Sequence, residues 1–182
     1  IGSIRKVKNR NRDCLPAHFA VEEFHRRTMT QEGAMAIVTF RSESILKEGL
    51  SVENRAGKFT VLMDEPETLR GTDTGMNPVE MLLCCLGACQ CIVARLFARA
   101  RKIQVQDFRV ELEGDLDPDG FLRGKDGVRA GLHEIRYTVR IRTDADEEKV
   151  REFVEFVKSR CPVNDSLLGH VPIVQQGIVI EK

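Results

Sequence analysis

The chain has 182 residues, enough for one domain with a substantial core and short for two. Hydrophobic residues make up 42% and charged residues 31%, the balance of a water-soluble globule. Lys+Arg and Asp+Glu are both 28, and there is no Trp and one Tyr, so the chain lacks the basic excess and aromatic platforms of a nucleic-acid binder and the basic excess of a protein drawn to anionic membranes.

Six cysteines are too few and too clustered for a secreted disulfide scaffold of this size. The first residues are rich in Lys, Arg and Asn without an apolar core, so they do not read as a signal peptide. A reducing, cytoplasmic location is expected, where free cysteines serve packing, metal binding or redox chemistry.

In chain order, residues 1–33 form an N-terminal extension, polar at first, with a helix predicted from Pro16 to Thr30 and ended by Gly33. The domain proper is expected over 34–182. Met35, Ile37 and Thr39 alternate with Ala36, Val38 and Phe40, which suits a strand buried on both faces. Leu50–Glu53 and Lys58–Met63 read as two more strands, with Asn54-Arg55-Ala56-Gly57 as their hairpin turn. A Gly- and Pro-punctuated loop follows over 64–76.

Asn77-Pro78-Val79-Glu80 carries every part of a helix start: an Asn cap, Pro in the first helical position, and Glu three residues after the cap to close a capping box. The helix is predicted to run to about Arg101. Residues 81–94 are apolar except Gly87 and Gln90, so the helix needs cover nearly all round. Gln90, Arg95, Arg99 and Arg101 interrupt it too often for a membrane span. Strands are predicted at Val105–Leu116 and Ile135–Arg142, joined by a charged, Gly-rich loop. A helix capped by Thr143 or Asp144 runs to about Arg160, with Val150, Phe153, Val154 and Val157 as its apolar stripe. Cys161-Pro162 ends it, and Pro172–Ile180 is a last strand. The order is that of a layered α+β domain. One sheet and one helical stripe cannot cover a helix apolar on all sides; a second copy of the same helix across a two-fold axis is the economical cover.

Four cysteines, Cys84, Cys85, Cys89 and Cys91, cluster on the long helix. Cys84 and Cys85 diverge by about 100° around it, so the four do not converge on one tetrahedral metal centre. Both are assigned to packing. Cys89 follows Gly87-Ala88, which leaves room beside it, and Cys161 sits at a helix terminus. The histidines give no pair at ligand spacing, and neither a P-loop nor a serine nucleophile elbow occurs. No cofactor and no metal are expected.

Gly75-Met76-Asn77-Pro78-Val79-Glu80, then Leu82-Leu83, Leu86-Gly87-Ala88-Cys89, and much later Cys161-Pro162-Val163 resemble the OsmC/Ohr family of organic hydroperoxide reductases and osmotically induced proteins. The resemblance runs from about Ala34 to the C-terminus. It implies an intertwined homodimer of β(3)-α-β(2)-α-β chains, with the two long helices antiparallel. It further implies that Cys89 reduces organic hydroperoxides, becoming a sulfenic acid that Cys161 resolves as a disulfide, and that an external dithiol restores both thiols. The family also uses a Glu near the start of this helix and an Arg from the N-terminal strands. Glu80 is the matching Glu. It precedes Cys89 by nine positions, about 13.5 Å along the axis and on the opposite face, so it would serve the second copy's Cys89 across a pair centred near Cys84 and Cys85. Glu80 closing the capping box alone is the equal alternative.

Two departures stand out. The best-known peroxide-reducing members carry the Glu directly after Pro, where this chain has Val79. The family's Arg position falls near Lys47, with Arg41 and Arg55 the nearest arginines. These departures motivate a second reading, a non-catalytic dimer holding a small apolar ligand.

Overall fold

The computed structural model describes residues 37–181, of which those from Arg41 onward form one compact unit. The boundary expected at 33/34, the helix expected over 16–30, and Cys14 lie outside the described residues. The elements are β1 (Glu43–Leu46), β2 (Val52–Ala56), β3 (Phe59–Met63), a 3-10 turn (Glu67–Leu69), α1 (Pro78–Phe97), β4 (Asp107–Asp115), α2 (Pro118–Leu122), β5 (Glu134–Arg142), α3 (Glu147–Ser159), α4 (Pro162–Leu167) and β6 (Ile173–Glu181). Two three-stranded sheets result, β1-β2-β3 and β4-β5-β6. This is the α+β architecture the sequence predicts, with two short helices, α2 and α4, that it does not.

The first sheet is antiparallel throughout. Its first strand begins later than predicted: residues 37–42 are not strand, and Ile37 and Phe40 are exposed. Register gives the reason. Glu43 pairs with Arg55, so residues before it would fall opposite the β2–β3 turn and find no partner. That turn is Gly57-Lys58, between the pair Ala56 and Phe59, rather than the four residues 54–57. Gly57 has φ 58, a conformation that hairpin turns demand and glycine adopts without strain. β1, β2 and β3 pack chiefly on one another, and Phe59, Val61 and Leu62 all stay exposed.

Asp64 organises the loop from β3 to α1. It is 2% exposed, and its carboxylate accepts the backbone N–H groups of Glu65 (2.8 Å) and Thr72 (3.0 Å) and the hydroxyls of Thr72 (2.5 Å) and Thr74 (3.0 Å). Gly71 closes against the same turn: a Cβ there would sit 1.8 Å from the Glu65 carbonyl oxygen, so no larger residue fits. The loop thus delivers the chain to Asn77 in fixed geometry. Asn77 Oδ1 accepts from Glu80 N–H at 2.9 Å, and Glu80 Oε2 accepts from Asn77 N–H at 3.0 Å, which completes the predicted capping box.

α1 lies on β4. Gly87 makes the approach possible, since a Cβ there would come within 2.8 Å of Leu112 Cδ1. β5 alternates as predicted: Ile135, Tyr137, Val139 and Ile141 are buried. β6 runs parallel to β5, with a bulge between Tyr137 and Thr138. α3 buries its predicted stripe of Val150, Phe153, Val154 and Val157, but its cap is Asp146, whose side chain accepts from Lys149 N–H. Thr143 instead accepts from the N–H of Ala145, two residues further along the chain. The core falls into two clusters. One joins α1, β5 and α3 around Tyr137, Phe153 and Val157; the other gathers Leu86, Leu132, Ile135 and Cys161.

α1 departs from the expectation of burial all round. Within the chain it buries Leu86, Gly87, Gln90, Val93 and Ala94, while Leu82, Cys84, Cys85, Ile92 and Leu96 remain exposed. Cys84 and Cys85 are therefore not core residues of a single chain. α1 is long and apolar enough to cross a membrane by length and composition. Its buried face, however, packs on β4, α3 and α4 in the manner of a core helix.

The Asp64 bonds hold its carboxyl well below the usual carboxylate range, the Thr72 hydroxyl most of all, against the opposing effect of burial. A depressed folded pKa contributes stability that is complete above the unfolded value near 4 and lost as pH falls through the folded value. Asp64→Ala is expected to lower Tm at neutral pH, with the gap to wild type shrinking steadily below about pH 4. Thermal melts across that range check this; a gap independent of pH would contradict it.

Candidate active site

Pro162 sets the position of Cys161. The residue before proline is pushed out of helical geometry, so α3 stops and Cys161 takes an extended conformation with φ -83 and ψ 109. Pro162 then opens α4, and Cys161 becomes its N-cap, with sulfur in place of the usual oxygen: Asn164 N–H donates to Cys161 Sγ at 3.4 Å. The turn buries the thiol almost completely, at 1% exposure.

Cys89 reaches the same spot from α1. It is partly buried and packs against both core clusters, one of which holds Cys161. Both are free thiols. The structure therefore brings together two cysteines that lie far apart in sequence. Burial pushes the Cys161 thiol up to about 11; the Asn164 and Val163 N–H groups pull it back, and Cys89 alongside pushes it further up. Cys161 is therefore a protonated thiol at neutral pH.

The other cysteines are placed differently. Cys91 is half-buried, its Sγ 3.7 Å from the Phe108 carbonyl oxygen, and burial raises its pKa. Cys84 Sγ lies 3.8 Å from Met76 Sδ on the exposed side of α1. Among the described residues no group of three or more His, Cys, Asp and Glu side chains is placed to hold a metal ion.

Glu80 stays at the start of α1 in its capping box, nine residues from Cys89. The contacts of Lys47 and Arg55 lie within the first sheet: Lys47 Nζ is 3.6 Å from Glu53, and Arg55 pairs with Glu53 and with Glu43 at 3.8 Å. Arg41 is exposed just before β1. An apolar cleft of about 420 Å³ opens beside the start of α1, lined by Leu69, Pro78, Val79, Leu116 and Phe121 among others. Val79 and Leu116 also pack against the Cys161 cluster.

Sequence reasoning missed three side chains near the thiols. Tyr137 is buried, its hydroxyl donates to Gln175 Oε1 at 3.3 Å, and its pKa is pushed up to about 12 by burial, with Glu155 and Cys161 adding to the effect. Its signal was present: the one tyrosine of the chain, on the inward face of β5. Gln90 and Asn164 are each almost fully buried. Gln90 registers in the sequence only as a break in an apolar run, and Asn164 gives no sequence signal.

Comparison with known proteins shows the family of the chain. Residues 71–175, more than half of the chain, match the profile of the family described as OsmC-like protein. The chain belongs to that family. It is 28% identical over 129 residues to a protein of Mycoplasma pneumoniae named hydroperoxide reductase, covering 69% of this chain and 84% of that protein. A protein of the same name from Mycoplasma genitalium is 26% identical over 129 residues, with the same coverage. The crystal structure of an OsmC-like protein from Mycoplasma pneumoniae superposes with TM-score 0.69 at 27% identity, over 78% of this chain and 98% of that one. An organic hydroperoxide resistance protein OsmC from Legionella pneumophila shares the fold, with TM-score 0.59 at 17% identity over 79% and 98% of the two chains.

The raised Cys161 pKa has a measurable consequence. In the unfolded chain the thiol ionises near pH 8.5, whereas in the folded chain it stays protonated to about pH 11. The stability this contributes is complete below the unfolded value and lost as pH rises through the folded one. Wild-type stability is expected to fall more steeply than that of Cys161→Ala between about pH 9 and pH 11. Denaturant titrations at stepped pH check this, and parallel curves for the two proteins would count against it.

Proposed function

We propose that this protein is a thiol-dependent peroxidase that reduces organic hydroperoxides, with Cys89 as nucleophile and Cys161 as resolving thiol. The single observation that carries the reading is the packing of Cys89 against the core cluster that holds Cys161. The relatives named hydroperoxide reductase support it. In the first step the Cys89 sulfur attacks the terminal peroxide oxygen, the O–O bond breaks, and the alkoxide takes the proton given up by the Cys89 thiol and leaves as alcohol. Cys89 is left as a sulfenic acid. In the second, the Cys161 sulfur attacks Cys89, the disulfide forms, and the sulfenic oxygen departs with the Cys161 proton as water. An external dithiol returns both thiols by exchange. Cys161, protonated at neutral pH, does not compete with Cys89 for the peroxide, because the thiolate is the nucleophile.

The working unit in this reading is a homodimer. The exposed apolar line of Leu82, Cys85, Ile92 and Leu96 on α1 and the exposed Phe59, Val61 and Leu62 of β3 are surfaces that a second copy would cover. Glu80, too far from Cys89 in its own chain, then serves the second copy's Cys89. The apolar cleft beside α1 suits the alkyl part of a hydroperoxide better than hydrogen peroxide. The same cleft supports the second reading, a dimer that holds an apolar ligand with its thiols inert.

Turnover measured with cumene hydroperoxide and dithiothreitol separates these readings. Wild type is expected to consume thiol, and Cys89→Ser to lose at least about a thousandfold in rate, the scale on which removal of a nucleophile acts. Glu80→Gln keeps the capping box, because Gln serves that position, so Tm is expected to hold while turnover drops. Unchanged turnover in Cys89→Ser would remove the peroxidase reading; unchanged turnover in Glu80→Gln would leave Glu80 a cap alone.

A further inference from the structure

On β4 and β5, Arg109, Arg136, Arg140 and Arg142 each meet a carboxylate, and on α3 Arg151 meets Glu147. Where the turn after α1 lies along α3, the pattern breaks. Arg101, Lys102, Lys149 and Arg160 form no ion pair among the described residues. Direct contacts hold them in one group. Arg101 and Arg160 both lie over the ring of Phe156, at 4.6 and 5.7 Å from its centroid. Phe97, at the end of α1, meets the same ring edge-on at 5.3 Å. Arg101, Lys102 and Lys149 line one cleft with Glu152 and Phe153. Lys149, Phe153, Phe156 and Arg160 follow one another at helical spacing, so the basic row runs about 16 Å along α3.

Helix ends account for only part of this charge. The C-termini of α1 and α3 present about half a negative charge each, and Glu152 adds one. Glu155 is taken by Lys158 at 3.7 Å. Arg99, exposed in the same turn as Arg101, is a fifth cation. An excess of about three positive charges remains. Like charges gathered this closely repel, so beyond the stacking on Phe156 the grouping is unfavourable for the fold alone.

The group suits a partner that presents carboxylates. Phe156 restrains two guanidiniums, whose planar forks match carboxylates in paired hydrogen bonds. A nucleic acid would use the ring itself for stacking, and the two arginines occupy it. A row about 16 Å long is the scale of a protein surface, not of a small anion. Its place matters as well. The N–H of Arg160 donates to the carbonyls of Phe156 and Val157 at 3.1 and 3.2 Å, and the next residue in the chain is Cys161.

We propose that this basic face docks the reductant, a protein dithiol set in an acidic surface. The inference rests on the peroxidase reading and gives its external dithiol a carrier and a place to bind. One carrier thiolate attacks a sulfur of the Cys89–Cys161 disulfide, the S–S bond breaks, and the displaced sulfur takes up a proton. The second carrier thiol attacks the mixed disulfide, which frees the other cysteine as a thiol and leaves the carrier a disulfide. Two electrons and two protons pass from carrier to enzyme. The cations take no part in these bonds; they hold the carrier near and raise its rate of encounter.

The test uses the full chain, oxidised by one equivalent of cumene hydroperoxide, and follows the return of its thiols. Three reductants are compared: dithiothreitol, a peptide whose two cysteines are flanked by glutamates, and the same peptide flanked by lysines. Each rate is divided by that reductant's rate on a small neutral disulfide, which removes differences in thiol reactivity. At low salt the acidic peptide is expected to act at least about tenfold faster than the basic one, with the ratio approaching one at about 1 M salt. Arg101→Gln with Arg160→Gln, and separately Lys102→Gln with Lys149→Gln, are expected to cut that ratio at least about threefold while the dithiothreitol rate holds. The lysine pair makes no contact with the Phe156 ring, so it carries the test if the arginine pair is unstable. Equal rates for the two peptides overturn the proposal, as does a preference for the acidic peptide that survives the lysine changes. Polyphosphate that slows the acidic peptide at lower charge concentration than polyglutamate does assigns the face to phosphate polymers and overturns it too. If hydroperoxide forms no Cys89–Cys161 disulfide in wild type, the peroxidase reading fails and the docking site falls with it.

Discussion

A helix that carries a thiol into a core must be covered on every apolar side, and α1 is covered on one. That imbalance organises the molecule. The capping box at Asn77 and Glu80 and the Asp64-braced loop fix where the helix begins, and Gly87 lets it lie close on β4. Its buried side meets α3 and α4, and at that meeting the chain turns through Cys161-Pro162. The opposite side presents Leu82, Cys85, Ile92 and Leu96 to whatever packs next to it. The first sheet, which packs chiefly on itself, presents apolar side chains in the same way. A second copy is the cover we propose for both, and it would bring Glu80 of one chain toward Cys89 of the other.

The two cysteines share one core cluster as unequal partners. Cys161 is sealed in the core and kept protonated by burial, its sulfur accepting the Asn164 N–H of α4. Cys89 is less buried and lies on a helix whose far side is open in the single chain. In the reaction we propose, this inequality sets the order of events: the more accessible sulfur meets the oxidant first, and the sealed one answers it. Tyr137, neutral and bonded to Gln175, adds no charge to that surrounding.

Much of this was legible in the residues themselves. Asn77-Pro78-Val79-Glu80 specifies a helix start by local chemistry alone, and the alternation of Ile135 to Ile141 and the stripe of Val150 to Val157 specify burial by period. The misses have equally local causes. The segment before Glu43 is apolar enough for a strand, but pairing is a property of register, and the hairpin offers it no partner. The hairpin turns at Gly57-Lys58, two residues later than Asn54 suggests, because the Asn54 side chain is used in the sheet, where it accepts from Ser44 Oγ at 2.7 Å. α4 was invisible because six residues carry no period, and its cap is a cysteine. The packing of Cys89 against the Cys161 cluster could not be read from spacing at all. Resemblance to a family suggested it, and the turn forced by Pro162 explains it. Gln90 and Asn164 were unreadable because a buried, unpaired amide looks in sequence like any other polar residue.

The most direct test of the thiol pair is to treat the reduced protein with one equivalent of an alkyl hydroperoxide, block free thiols, digest without reductant, and map disulfides by mass. The expected product is a single bridge joining the Cys89 and Cys161 peptides within one chain, with Cys84, Cys85 and Cys91 still free. A bridge through Cys84 or Cys85, or a Cys89 oxidised while Cys161 stays a thiol, would contradict it.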